Sequence, residues 1–245
     1  MTGAWRKVKP GWYVLAFLLL YSVIVTVALT RSNRLLYAAR DVPSEEPVVE
    51  VVPEPVALAP EGLWFPVPGA SLPQDASYLP NAPRIYRNGV NQGFDFYGED
   101  AGIPIAYGSP VVAAAEGTLT RVDAGYSELS PADWQMLLDK VSTSSADEDD
   151  LNRLRGRQIW LRTDDGRVLR YGHLSAIRAG LTEGERVYRG QVIGYVGNSG
   201  TDDGVAGTTR GSRLHFEIWQ DGTFFGQDLD EASLRAAARN LFVGP

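Results

Sequence analysis

The chain has 245 residues, 44% of them hydrophobic and 22% charged, the balance of a globular protein rather than a disordered one. It has no cysteine, which excludes disulfide frameworks and thiolate metal sites. Residues 1–40 hold six of the 23 basic residues and no acidic one, which leaves 17 basic against 30 acidic residues beyond them. So acidic a body argues against nucleic acid as a partner, because phosphate binding needs a basic face.

Residues 11–30 carry no charge, and about 20 such residues span a bilayer as a helix. Trp12 and Tyr13 stand at one end, where amphipathic rings favour the headgroup level. A signal peptide with a small-residue site near Tyr37-Ala38-Ala39 is the alternative, but its apolar region normally runs only about 7–15 residues. An uncleaved transmembrane helix is therefore expected. Arg6, Lys7 and Lys9 precede the span and Arg31, Arg34 and Arg40 follow it, so basic residues do not decide its orientation. A Pro/Glu-rich linker is expected over residues 31–62. Between Asp41 and Pro60 it has five prolines and five acids, which favours neither a helix nor a central strand. Extended at ~3.1 Å per residue, that stretch reaches roughly 60 Å.

The globular body starts near Leu63. Short strand patterns run over Pro110–Ala115, Gly117–Asp123, Gln158–Thr163, Arg167–Leu174, Gln191–Val196 and Arg213–Trp219, punctuated by Gly117, Gly166, Gly190 and Gly222. This is the pattern of a mainly β, antiparallel domain, and Asp165-Gly166 marks a hairpin. Residues 126–156 interrupt it. Ser130 reads as an N-cap, Pro131 as the first helical residue and Asp133 as a first-turn acid, with Trp134, Leu137, Leu138 and Val141 at helical spacing. A second short helix is expected at Leu151–Leu154, and a closing helix at Asp230–Leu241 within a C-terminal segment 229–245.

The segment Arg213-Leu214-His215-Phe216-Glu217-Ile218-Trp219 alternates with period two, the signature of a half-buried strand. Its apolar side can enter a core, leaving Arg213, His215 and Glu217 in a row on the other face. The only histidines in the chain are His173 and His215. Both sit in strand-like segments beside glycine-rich turns.

Taken in order, Asn91-x-x-x-Asp95, Tyr171-Gly172-His173-Leu174-Ser175, Gly190–Gly197 and Arg213-Leu214-His215-Phe216-Glu217 resemble the LytM/lysostaphin-type zinc endopeptidases, which cut peptide cross-bridges of peptidoglycan. The likeness covers about residues 63–228 and includes the run Gly108–Gly117. It implies an antiparallel LytM-like barrel-sandwich core with a helical insertion at 126–156, preceded by one transmembrane helix. In that family zinc is held by the histidine and aspartate of His-x-x-x-Asp and by the second histidine of His-x-His. The first histidine of His-x-His and that of the His-Leu-Ser segment handle the attacking water and transition state. Carried over, Asp95 and His215 match metal ligands and His173 a catalytic histidine. Asn91 stands in place of a ligand histidine, and Arg213 in place of a catalytic one.

A catalytic zinc site normally has three protein ligands and an open position. An amide oxygen is a poor substitute for an imidazole, and a guanidinium cannot act as a base. The resemblance therefore implies a degenerate centre with no metal expected, in a groove of Asp95, His173, Arg213 and His215. Arg213 is expected either to pair with Asp95 in the metal's stead or to be a solvated strand residue. Three functions follow. The first is a membrane-anchored, catalytically inactive domain that binds peptidoglycan or regulates a murein hydrolase. It would have residues 1–10 in the cytoplasm and the body outside. The second is a zinc endopeptidase relying on Asp95, His215 and His173. The third is an interaction module docking through residues 126–156.

Overall fold

A computed structural model describes residues 18–31 and 62–244. The chain divides into two units, residues 1–58 and 59–245. In the first, residues 18–31 form a helix, α1, whose side chains are exposed. Residues 11–17 of the expected span, the first ten residues and linker residues 32–61 lie outside the described residues. Among the described residues no helix is long and apolar enough to cross a membrane.

The second unit is a mainly antiparallel β fold with several helices. Its strands are β1 (Pro83–Arg84), β2 (Gly89–Val90), β3 (Phe94–Tyr97), β4 (Pro110–Val112), β5 (Gly117–Val122), β6 (Ile159–Thr163), β7 (Val168–Gly172), β8 (Leu174–Ile177), β9 (Arg186–Val187), β10 (Val192–Val196), β11 (Arg213–Gln220) and β12 (Thr223–Phe224). The larger sheet runs β12-β11-β7-β6-β5-β9, with β3 also on β11, and the smaller runs β4-β10-β8. Asp165-Gly166 connects β6 to β7 as the hairpin pattern predicts, with Gly166 at φ 88°.

The core lies between the apolar faces of the sheets: Phe94, Phe96, Leu169, Tyr171, Ile193, Leu214 and Phe216 are all buried. Burying such side chains is worth about 1.5–3 kcal/mol each. The expected half-buried β11 is corrected here, because Leu214 through Ile218 are all buried. Its polar face is covered by protein rather than by water.

The covering comes from the segment between β5 and β6, which forms α2 (Pro131–Thr143) and α3 (Glu148–Arg155). The Ser130 hydroxyl accepts a hydrogen bond from the Asp133 backbone N–H, and Pro131 opens the helix. Asp147 and Asp150 close a capping box at the start of α3. Trp134, Leu137, Val141, Leu151 and Leu154 form a small cluster separate from the main core. The β1–β2 turn docks against α2, with the Asn88 amide donating to the Ser142 carbonyl at 2.7 Å. A short helix, α4 (Asp202–Val205), follows β10, and α5 (Glu231–Leu241) closes the chain. Asp230 caps α5, and Leu234 and Ala238 are buried.

Candidate functional site

β3 and β11 bring the candidate residues together. Their antiparallel register sets Asp95 directly opposite His215. That pairing is close because residue 93 is glycine: a Cβ there would lie 2.3 Å from the Phe216 carbonyl oxygen. His173 follows β7 with a left-handed backbone, φ 57°. Its backbone N–H donates to the Arg155 carbonyl at 2.7 Å.

His215 lies between two carboxylates. Its Nδ1 is 2.8 Å from Asp95 Oδ1 and its Nε2 is 2.9 Å from Glu217 Oε1. A carboxylate accepts and does not donate, so both ring nitrogens carry protons and the ring is an imidazolium. Burial opposes that charge, but Asp95 and Glu217 outweigh it and raise the pKa of His215. Each carboxylate is held in turn by arginine. Arg84 donates to Asp95 Oδ2 at 2.7 Å, and the Asn91 amide donates to the same oxygen at 3.2 Å. Arg155 Nε donates to Glu217 Oε1 at 2.7 Å, and Trp219 Nε1 to Oε2 at 2.5 Å. Burial would raise the pKa of both acids, but the cations around them win and hold both well below the usual carboxylate range.

His173 is the neutral partner. Its Nδ1 lies 2.8 Å from the Ser199 carbonyl, which can only accept, so Nδ1 carries the proton and Nε2 the lone pair. Arg213 Nη2 donates to that lone pair at 3.0 Å. Burial, then Arg213 and His215, push the His173 pKa well below its ordinary value. Arg213 therefore turns into the site. Its nearest approach to Asp95 is an Nε–Oδ1 distance of 3.8 Å, beyond hydrogen-bonding range. The expected Arg213–Asp95 pair is therefore a long-range ion pair, while the direct hydrogen bond to Asp95 is made by Arg84.

All five expected residues, Asn91, Asp95, His173, Arg213 and His215, line one cavity of about 40 Å³. That volume holds a few waters at most. Arg84, Arg87, Arg155 and Glu217 complete it. Glu217 was legible as the third polar residue of the β11 stripe, whereas Arg84 and Arg155 carry no local signal.

The sequence model of Peptidase family M23 matches residues 97–226, more than half of the chain. The chain belongs to that family. The matched span of this M23 domain includes His173, Arg213 and His215. Asn91 and Asp95 precede it, and the β3–β11 register brings Asp95 to the site. No curated protein matches the chain at a significant level. Similar solved structures include Helicobacter pylori Csd3, at 19% identity over 70% of this chain and 32% of that one, with a TM-score of 0.38. A putative glycyl-glycine endopeptidase lytM from Ruminococcus gnavus is 21% identical over 76% of this chain and 63% of its own, with a TM-score of 0.42. A chain of the SpoIIQ–SpoIIIAH pore-forming complex is 20% identical over 73% of this chain and 98% of its own, with a TM-score of 0.42. This chain therefore spans about a third of Csd3 and under two thirds of the Ruminococcus protein.

The M23 family implies zinc, and the residues here do not fit it. Both His215 nitrogens carry protons, the Asn91 amide nitrogen faces Asp95, and Arg213 caps the one free imidazole lone pair. Among the described residues no group of three or more His, Cys, Asp or Glu side chains is placed to hold a metal ion.

Proposed function

We propose that this M23 domain is a non-catalytic cell-wall module that binds peptidoglycan or regulates a murein hydrolase. It is held at the membrane through residues 11–30, with its body on the extracytoplasmic side. The observation carrying this reading is the state of His215, whose ring nitrogens both donate to carboxylates already neutralised by Arg84 and Arg155. A histidine so placed offers no lone pair to a metal. His173 holds the only free imidazole lone pair at the centre, and the Arg213 guanidinium covers it. Neither histidine is poised as a general base. Membership of the M23 family supports the cell-wall setting, and the uncharged stretch 11–30 supports the anchor.

The test is zinc binding by the purified full-length chain, read by metal analysis and calorimetric titration beside sedimentation with, and digestion of, purified peptidoglycan. The reading expects no stoichiometric zinc, no digestion, and retention on peptidoglycan or on a murein hydrolase. One tightly held zinc per chain together with digestion would replace it with the zinc endopeptidase.

A further inference from the structure

The cavity at the site has the wrong polarity for a metal and the right one for an anion. Four guanidinium groups, from Arg84, Arg87, Arg155 and Arg213, line it against two carboxylates, Asp95 and Glu217. Arg84 and Arg155 satisfy those two carboxylates at 2.7 Å each. Arg87 is left without a carboxylate among the described residues, and Arg213 has only a distant one. Arg87 is 9% exposed and its Nη2 donates to the Val90 carbonyl at 2.6 Å, yet among the described residues no carboxylate pairs with it. Its Nε is buried with no hydrogen-bond partner among the described residues. Arg213 reaches a carboxylate only at 3.8 Å. Arg213 is part-exposed and also donates to the Gly211 carbonyl, so the buried guanidinium without a carboxylate is that of Arg87; its cost is offset when a ligand brings the missing charge.

The shape of the site narrows the ligand. The small cavity adjoins a cleft of about 370 Å³, and both are lined by Tyr86, Leu154, His173 and Arg213. The cleft continues along Trp134, Leu138 and Thr201, between α2 and the loop after β10, and its two acids, Asp202 and Asp203, accept from Trp134 Nε1 and Arg210 Nε. A ligand matching both spaces has one compact anionic end and a larger, uncharged, partly apolar body. A free inorganic oxyanion would use only the first space.

We propose that this cavity binds the terminal carboxylate of a short peptide, with Arg87 and Arg213 receiving the carboxylate and the adjoining residues lying in the cleft against Trp134. This rests on the reading of the centre as non-catalytic. It turns a position that in the resembling family holds a cation into one that takes an anion. Arg213 then has a definite role, because its guanidinium stands where the two spaces meet.

The experiment titrates the full-length chain calorimetrically with N-acetyl-dialanine bearing a free carboxylate, with the same peptide as its C-terminal amide, and with inorganic phosphate. The free acid should bind and the amide bind at least about tenfold more weakly, since losing one partner of a desolvated charge pair costs at least that much. Arg213→Gln should lower the affinity for the acid by a similar factor and leave the amide unchanged. Arg87→Gln should do the same in protein whose thermal unfolding remains cooperative. Equal binding of acid and amide, no binding of either, or an acid affinity indifferent to Arg213→Gln would overturn the proposal. Phosphate binding as tightly as the peptide acid would overturn the peptide assignment. Zinc analysis of the same sample separates the two readings. A zinc-free protein that ignores the acid loses only this inference, whereas a zinc-loaded one loses the non-catalytic reading.

Discussion

Replacing Glu217 with glutamine tests whether the centre is a buried ionic network. The carboxylate is 1% exposed and accepts from Arg155 Nε at 2.7 Å, His215 Nε2 at 2.9 Å and Trp219 Nε1 at 2.5 Å. Glutamine keeps the shape but offers one oxygen, so its amide nitrogen must face at least one of these donors. Breaking a buried ion pair from one side costs about 3–5 kcal/mol. Arg155 keeps a second carboxylate, Glu148, at 3.2 Å, which places Glu217→Gln near the lower end, about 3 kcal/mol. At about 2–4 °C per kcal/mol for a domain of this size, the midpoint should fall by about 6–12 °C. Urea and thermal unfolding of the wild type, Glu217→Gln, Arg155→Met and the double variant give the cycle. The double variant should lose clearly less than the sum of the singles, because the second change removes a charge that the first stranded. A loss below about 1 kcal/mol, the size typical of solvated ion pairs, or strict additivity would refute the network.

Three further outcomes are expected. Asn91→His, Arg213→His and Glu217→Gln together should give zinc uptake near one per chain by metal analysis. The first two supply imidazoles and remove the guanidinium, and the third removes one of the two carboxylates that hold His215 as a cation; an unchanged zinc content would refute this account of why the centre excludes zinc. Leu137→Ala should cost about 2–4 kcal/mol within the small α2–α3 cluster. Because that cluster is separate from the main core, hydrogen exchange should rise over residues 131–155 while β11 keeps its protection, and equal loosening of β11 would contradict this. Stability should also fall on both sides of a plateau. Asp95 and Glu217 have depressed folded pKa values, so their contribution is present above the unfolded value of about 4 and is lost as pH falls. His215 has a raised one, so its contribution is full below about 6.5 and is lost as pH rises through the folded value. Urea midpoints across pH would contradict this if they rose steadily toward alkaline pH.

Much of the fold was legible because local chemistry and tertiary structure agree. The period-two pattern of Arg213–Trp219, the Asp165-Gly166 turn and the Ser130-Pro131 helix start each draw on neighbours in sequence, and each appears where expected. What escaped was built from pairs distant in sequence. β1 and β2 have two residues each, too short for any periodicity. The Arg84–Asp95 and Arg155–Glu217 pairs arise only when a turn and the end of α3 fold over β11. Arg155 is held there by a tight close to α3. Gly156 takes φ +67°, and a Cβ on it would lie 2.3 Å from the Ser199 carbonyl. The same fold-over explains why a strand with one polar face is buried on both.

The two departures from the family motif read differently once these arginines are in place. Viewed alone, Asn91 and Arg213 look like losses that leave Asp95 and His215 without a metal. A bare pair of that kind would strand a buried carboxylate, an arrangement costing several kcal/mol. Instead Arg84 neutralises Asp95 and Arg155 neutralises Glu217, while His215 bridges the two acids as a cation. Both acids are thus paired without any metal. Within this arrangement Arg213 acts on Asp95 only at long range, and its hydrogen bonds go to neutral His173 and the Gly211 carbonyl. A guanidinium held beside a neutral imidazole, at the junction of a polar cavity and a larger cleft, stabilises little by itself. Its position makes sense as the recognition element of a site whose two carboxylates are already paired.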